Sequence, residues 1–260
     1  MLRIPPIRLS ERAAEKAQAV VPARSFPVLF EDEAFLALDK PAGVAVHGGS
    51  GVSFGVIEQL RQARPQARLL ELVHRLDRET SGLLLIAKKK SALKALQDQF
   101  RERETGKTYL TLVKGRWPER LKVLDQPLHK YLQADGERRV RVVEPGHPDG
   151  MRSVTLVKVQ QHIPARVGLE ALCPDGLTLL EVTIKTGRTH QIRVHLSHAG
   201  HPIAGDDKYG DFELNRQLAK TGLRRMFLHA WRLRLAHPIS GDAMELHSEL
   251  PFELKNWLAS

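Results

Sequence analysis

The stretch His74-Arg75-Leu76-Asp77-Arg78-Glu79-Thr80-Ser81-Gly82 sets one carboxylate, Asp77, between two arginines and ahead of small hydroxyl residues and a glycine. An apolar run from Leu69 to Val73, broken by Glu71, leads in, and a second from Leu83 to Ala87 leads out. That layout is a polar loop between two buried segments, the usual place for functional residues on a rigid scaffold. Taken alone, an Asp in such a loop is a turn former or a cap. Beside guanidinium groups its charged form is favoured, which suits a nucleophile or a base.

Four further segments complete a pattern. They are Asp39-Lys40-Pro41-Ala42-Gly43, Lys107-Thr108-Tyr109-Leu110, Thr186 to His195 (TGRTHQIRVH) and Gly205-Asp206-Asp207-Lys208-Tyr209-Gly210. In this order, from about Pro27 to about Pro251, the chain resembles the RluA family of pseudouridine synthases. Within that family it is most similar to the branch acting on large-subunit ribosomal RNA. The resemblance implies an α+β fold, a single catalytic domain with a largely antiparallel or mixed sheet flanked by helices and loops. It also implies an enzyme that isomerises uridine to pseudouridine in RNA, with no cofactor and no metal.

Site roles follow from the same resemblance. Asp77 is the catalytic carboxylate, and Arg188 the guanidinium beside it. Tyr109 stacks on the target uracil and is a candidate for moving the C5 proton. Arg75 fills the gap left by a flipped-out nucleotide. Flipping itself is a physical requirement, because C1′ and N1 cannot be reached while the base is stacked. Ile203 stands either as an apolar floor beneath the base or as core packing. Lys40 either braces the active-site loop or touches phosphate. Whether Asp77 attacks C1′, adds to the uracil ring or removes a ribose proton is left open by the residues.

Composition bounds the partner. The 260 residues carry 40 Lys and Arg against 30 Asp and Glu, a net charge of +10, which suits a polyanion. Aromatic residues make up only 5%, too few for an extended array of stacking platforms, so recognition of folded RNA by backbone and shape fits better. Large-subunit ribosomal RNA is the expected partner, with transfer RNA the alternative and a monomer the default state. Lys88-Lys89-Lys90 is a basic patch suited to a phosphate backbone. Cys173 is the only cysteine and is expected as a buried thiol; no internal disulfide is possible. Met1 to Val21 carries six charged residues with no apolar core, and no run of about 18 apolar residues exists, so the expected compartment is cytoplasmic, without a membrane partner.

Elements must position these groups. Residues 1 to 25, with Pro5, Pro6 and Pro22, read as a tail or linker, and residues 26 to 260 as the catalytic domain. Arg3-Ile4-Pro5-Pro6 resembles the end of the S4-type RNA-binding module that many family members carry upstream, so a piece lacking that module is expected. Patterning predicts a hairpin over Val28–Phe30 and Phe35–Leu38, and a helix over Ser53–Arg64. It then predicts a helix capped by Ser91 running to Arg103, and strands at Tyr109–Val113, Leu121–Leu124, Val140–Val143, Val154–Val159, Val167–Leu172 and Leu177–Ile184. Helices over Thr189–Ala199, ended by Gly200, and Asp211–Thr221, ended by Gly222, precede two strands and a short helix from Pro251.

Rival chemistries are weaker. Gly51-Val52-Ser53-Phe54-Gly55 spells the nucleophile elbow of α/β-hydrolases, and His47-Gly48-Gly49 resembles part of an oxyanion-hole motif, yet the two are contiguous and no buried parallel strand feeds them. His190, His195, His198 and His201 lack a completing carboxylate at metal-ligand spacing. A kinase catalytic loop and a P-loop fail on position and on the missing Gly-Lys. A non-catalytic RNA-binding protein fits the charge equally well, but has little use for a carboxylate among arginines.

Overall fold

A computed structural model describes residues 21–49, 54–133 and 137–260. Most of the expected N-terminal tail, and Ser53 of the elbow motif, lie outside the described residues.

The chain opens with the hairpin β1 (Val28–Glu31) and β2 (Phe35–Lys40), followed by helix α1 (Val56–Ala63). A two-residue strand β3 (Glu71–Leu72) leads into the Asp77 loop, and β4 (Ser81–Ala87) leads out of it. Helix α2 (Lys90–Glu102) then crosses to β5 (Gly106–Lys114), β6 (Val123–Asp125) and a separate hairpin of β7 (Leu128–Leu132) and β8 (Arg138–Val142). Strands β9 (Val154–Ile163) and β10 (Leu177–Ile184) precede α3 (Gln191–His198) and α4 (Phe212–Lys220). The chain closes with β11 (Leu228–Ala236), β12 (Ala243–His247) and α5 (Phe252–Ala259). This is the mixed α+β architecture the pattern implied.

One large sheet runs β1-β2-β4-β11-β5-β10-β9-β6, with β3 on β4 and β12 on β11. All its pairings are antiparallel except the short β4–β11 contact, where His229 and Ala230 face Ser81 and Gly82 in parallel. Every residue of β4 (SGLLLIA) is buried, as a strand covered on both faces requires. Gly82 has φ +107, and a Cβ there would overlap the Ala230 carbonyl oxygen. The end of the Asp77 loop can therefore approach β11 only because residue 82 has no side chain.

Two apolar cores flank the middle of the sheet. One joins β2, β4 and α1 (Phe35, Leu38, Leu60, Leu85), and the other joins β10 and α3 (Leu180, Val182, Ile192, Leu196). Tyr109 packs against both, so it sits on the seam between them.

Local expectations differ in two places. Residues 167–172 are consecutive turns rather than a strand, with Leu169 N donating to Arg166 O at 2.9 Å and Cys173 N to Leu169 O at 2.8 Å. Leu169 and Cys173 bury because they are one helical turn apart, which an alternating pattern mimics over so short a run. Helix α2 starts at Lys90 with Lys89 at the cap position, so Ser91 stands inside the first turn and caps nothing. Among the described residues, no helix is long and apolar enough to cross a membrane.

Candidate active site

The Asp77 loop and the turn between β10 and α3 face each other across β5, leaving a cleft of about 440 Å³. Asp77, Arg75, Tyr109, Arg188, His190 and Arg193 all line it, with Leu76, Phe100, Ile184, Ile192 and Leu228 among its apolar members. The loop itself is a tight turn, with Thr80 N donating to the Asp77 carbonyl at 3.1 Å. It turns between β3 and β4, which pair with each other, and β4 is also paired with β2, so Asp77 leads directly into a strand whose every residue is buried.

The Asp77 side chain is 25% exposed, open enough to meet a ligand. Its Oδ2 lies 3.4 Å from Nη1 of Arg193 and 3.9 Å from Nε2 of His190. Arg193 is itself gripped from behind. Its Nε and Nη2 donate to the two oxygens of Asp206 at 2.7 Å each, a bidentate pair with both side chains almost wholly buried. Burial opposes charge on Asp206, but the hydrogen bonds from Arg193 hold its carboxyl below the usual carboxylate range. Burial likewise opposes the Arg193 guanidinium, and Asp206 more than offsets it, so Arg193 keeps its proton more tightly than a free arginine. Asp206 also accepts from the backbone of Lys208 and Tyr209 at 2.8 and 3.0 Å, which fixes its rotamer.

This arrangement corrects the expected pairing of Asp77 with Arg188. Arg188 lines the cleft, but its Nε donates to the Arg152 carbonyl at 3.3 Å. Arg193, inside the first turns of α3, is the guanidinium that reaches Asp77. The difference of five residues matters because Arg188 belongs to the turn before the helix. There Gln191 accepts from the Arg188 backbone N–H and from Thr186, and donates to Val154 and Thr155, pinning the turn to β9.

Of the two readings of Ile203, the structure takes core packing over the floor beneath the base. It is 1% exposed, pairs with Val113 in an isolated bridge and belongs to the core beside α3, not to the cleft lining. Lys40 is fully buried, and its Nζ donates to the carbonyls of Pro41, Val44 and Arg78 at 2.8, 2.7 and 3.1 Å. Of its two expected readings, the geometry is that of a brace, since the third carbonyl belongs to the Asp77 loop and no phosphate can reach a wholly buried amine. Burial pushes the Lys40 amine down to about 7, while three acceptor oxygens favour its protonated form.

Tyr109 faces the cleft from the central strand, its phenol pushed well above the usual range by burial and, next, by the Asp77 charge. It is therefore a neutral O–H at any ordinary pH. Arg75 is exposed at the cleft and has no polar partner for its side chain among the described residues. His74 also borders the cleft but is engaged by the protein. Its ring stacks on Phe100 at 4.7 Å, accepts from Leu85 N through Nε2 at 3.1 Å, and is driven down to about 4 by burial.

Three of the four histidines between residues 190 and 201, His190, His195 and His201, have protein partners. His195 is fully buried between Thr155 Oγ1 at 2.9 Å and the Gln126 carbonyl at 3.0 Å, and His201 Nδ1 lies 2.8 Å from the Lys114 carbonyl. A different group, His129, His147 and Asp149, brings one ligand atom each within 4.8 Å of the others, outside the cleft lining. The oxyanion reading of His47-Gly48-Gly49 meets a competing use: Gly48 N donates to the Glu58 carboxylate at 3.1 Å, which also accepts from Gly55 at 2.8 Å to start α1.

Known proteins resemble this chain in sequence and in fold. The family model described as RNA pseudouridylate synthase matches residues 34–198. Ribosomal large subunit pseudouridine synthase C of Salmonella typhi is 49% identical over 262 residues, 99% of this chain and 77% of that protein. The chain belongs to the RNA pseudouridylate synthase family. The protein of the same name from Pasteurella multocida is 47% identical over 264 residues, 100% of this chain and 76% of that protein. Among solved structures, human RNA pseudouridylate synthase domain containing 4 superposes with a TM-score of 0.69 at 26% identity, covering 89% of this chain and 91% of that one. Human RNA pseudouridylate synthase domain containing 1 gives 0.68 at 27% identity, covering 88% and 84%. The synthase's matched region holds Asp77, Tyr109 and Arg193 and stops before Asp206 and Tyr209, which only the fold brings to the site. Sequence alone gives Arg193, Asp206 and Tyr209 no separate role, and gives His190 only a rejected metal reading. The one signal available was a carboxylate pair, Asp206-Asp207, in a segment of the same pattern as the arginine-rich turn.

Proposed function

We propose that this synthase converts specific uridines of large-subunit ribosomal RNA to pseudouridine, with Asp77 as the acting carboxylate, and that it works as a cytoplasmic monomer. The reaction breaks the C1′–N1 bond, turns the uracil and forms C1′–C5; the C5 proton leaves and N1 gains one. No electrons are transferred and no group is donated, so the chemistry asks for no cofactor. It asks for a charged carboxylate at the sugar or base and for exclusion of water while the bond is open.

The observation that carries this reading is the state of Asp77: one oxygen held by Arg193, the side chain open to a cleft that also holds Tyr109. Tyr109 lines the cleft with two apolar clusters packed against it, a surface on which a uracil ring would stack, and its neutral O–H could exchange a proton at C5. Arg75 stands unpartnered at the cleft edge, where an everted nucleotide leaves a gap in the stack. Arg188 completes a basic rim for the backbone. The net charge of +10 supports an RNA partner, and the names of the relatives support its being ribosomal.

The test is Asp77→Ala assayed for tritium release from C5-labelled uridine, alongside filter binding. We expect product to vanish while RNA binding survives; conversion at the normal rate would overturn the assignment. Carbodiimide-adduct reverse transcription of ribosomal RNA from a deletion strain names the uridines. Modification of transfer RNA alone would move the substrate.

A further inference from the structure

His190 stands just before α3 with φ +52, a left-handed backbone that a non-glycine residue adopts only under strain. Such strain persists where surrounding contacts over-determine it, and here one ring nitrogen is hydrogen-bonded and the other faces a carboxylate. Nδ1 lies 2.9 Å from the Tyr209 hydroxyl, and Nε2 lies 3.9 Å from Oδ2 of Asp77.

The tautomer follows from counting hydrogens. The Tyr209 oxygen accepts the backbone N–H of Val140 at 3.0 Å. A phenol has one proton of its own to give, and among the described residues Nδ1 of His190 is the only acceptor within its reach. If Nδ1 carried a hydrogen, the half-buried phenolic O–H would point at a donor and go unpaired within the protein. The arrangement that satisfies all three groups runs Val140 N–H to Tyr209 oxygen, then Tyr209 O–H to Nδ1. The ring proton then sits on Nε2, aimed at Asp77. Burial lowers the His190 pKa and so keeps the ring neutral.

Both groups that reach Asp77 meet the same oxygen. Arg193 Nη1 and His190 Nε2 converge on Oδ2, and no partner of Oδ1 exists among the described residues. We propose that His190 is a positioning residue. Tyr209 locks it as the Nε2–H tautomer, and that N–H, together with Arg193, restrains Oδ2 so that Oδ1 is the oxygen presented to the nucleoside. At 3.9 Å the contact is longer than a hydrogen bond, and it closes to one when substrate fills the cleft and displaces water, as contacts in empty active sites commonly do. Tyr209 is in turn seated by the β7–β8 hairpin, through Val140 and through Arg139, whose Nη1 donates to the Lys208 carbonyl at 2.7 Å. Docking of that hairpin therefore sets the angle of the catalytic carboxylate.

This rests on Asp77 being the acting carboxylate, and the experiment separates the two. Side-chain proton–nitrogen correlation spectra of the ¹⁵N-histidine-labelled protein, with His190 assigned by its loss in His190→Gln, read the tautomer directly. We expect the Nε2–H pattern in the wild type and its loss or mixing in Tyr209→Phe. In turnover assays His190→Ala and Tyr209→Phe should lower kcat by about 10- to 100-fold with KM unchanged. His190→Gln, which places an N–H near the old Nε2, should recover most of the rate. An Nδ1–H pattern in the wild type overturns the proposal even if the variants fold poorly. So does a His190→Gln variant no better than His190→Ala, or His190→Ala at the wild-type kcat. Activity in Asp77→Ala, by contrast, would sink the reading of Asp77 and leave the tautomer as found.

Discussion

Arg193 meets Asp77 with a single nitrogen, Nη1 to Oδ2 at 3.4 Å, while Nε and Nη2 hold Asp206 at 2.7 Å. A planar fork can serve two carboxylates at once in this way, and a lysine cannot. Arg193→Lys should therefore keep the charge yet lose the geometry, lowering kcat by about 10²–10³-fold. Arg188→Ala should leave kcat within about tenfold and reduce the salt slope of RNA binding by roughly 0.7. Single-turnover kinetics and salt titrations on both variants check this; equal damage to kcat would reinstate Arg188 beside the carboxylate.

Tyr109 offers a neutral phenol on the seam of the two cores. Tyr109→Phe retains the ring and its packing and removes only the O–H. We expect RNA binding within about twofold of wild type and product formation slowed by roughly 10²–10⁴, the range of one proton-transfer group. Unchanged turnover would confine Tyr109 to stacking.

Lys40 ties three carbonyls together, one of them in the Asp77 loop. Lys40→Met fills the volume but strands buried acceptors, each worth about 1–3 kcal/mol. Urea denaturation should show a loss on the order of 3 kcal/mol, and what folded protein remains should turn over slowly because the Arg78 carbonyl is no longer pinned. A fully stable, fully active variant would remove the brace.

His74 gives the fold an acid-sensitive window. Its folded-state pKa is driven to about 4 by burial, below the ordinary 6.5. Between those values the unfolded chain binds a proton that the folded one refuses. The stability is thus fully present above pH 6.5 and is lost as the pH falls toward 4, to a total on the order of 3 kcal/mol. His74→Gln keeps an acceptor for Leu85 N–H and removes the titration, so its stability should fall less steeply across that window. Denaturant midpoints at half-unit intervals from pH 4 to 7 measure it; identical slopes would assign the loss to other groups.

Much of this was legible in residue order. The apolar runs around residues 74–82 declared a polar loop between buried strands, and the all-apolar character of Leu83 to Ala87 required a strand covered on both faces. Residue types in Lys40-Pro41-Ala42-Gly43 marked the turn that braces the Asp77 loop, and those in Thr186 to His195 marked the turn that borders the cleft. These signals are local: periodicity, glycine and proline act within a few residues of where they stand.

What the order of residues left open was which of two arginines meets Asp77, how deep Ile203 lies and where Lys40 points. Each depends on a partner far along the chain. Arg193 is aimed by Asp206, Ile203 is drawn into the core by Val113, and Lys40 is captured by the carbonyl of residue 78. His190 is the sharpest case, because its proton is placed by Tyr209 and Tyr209 by Val140 on a separate hairpin. Covalent sequence sets which groups are available, whereas hydrogen-bond direction and burial are properties of neighbours in space. Only the folded chain decides those.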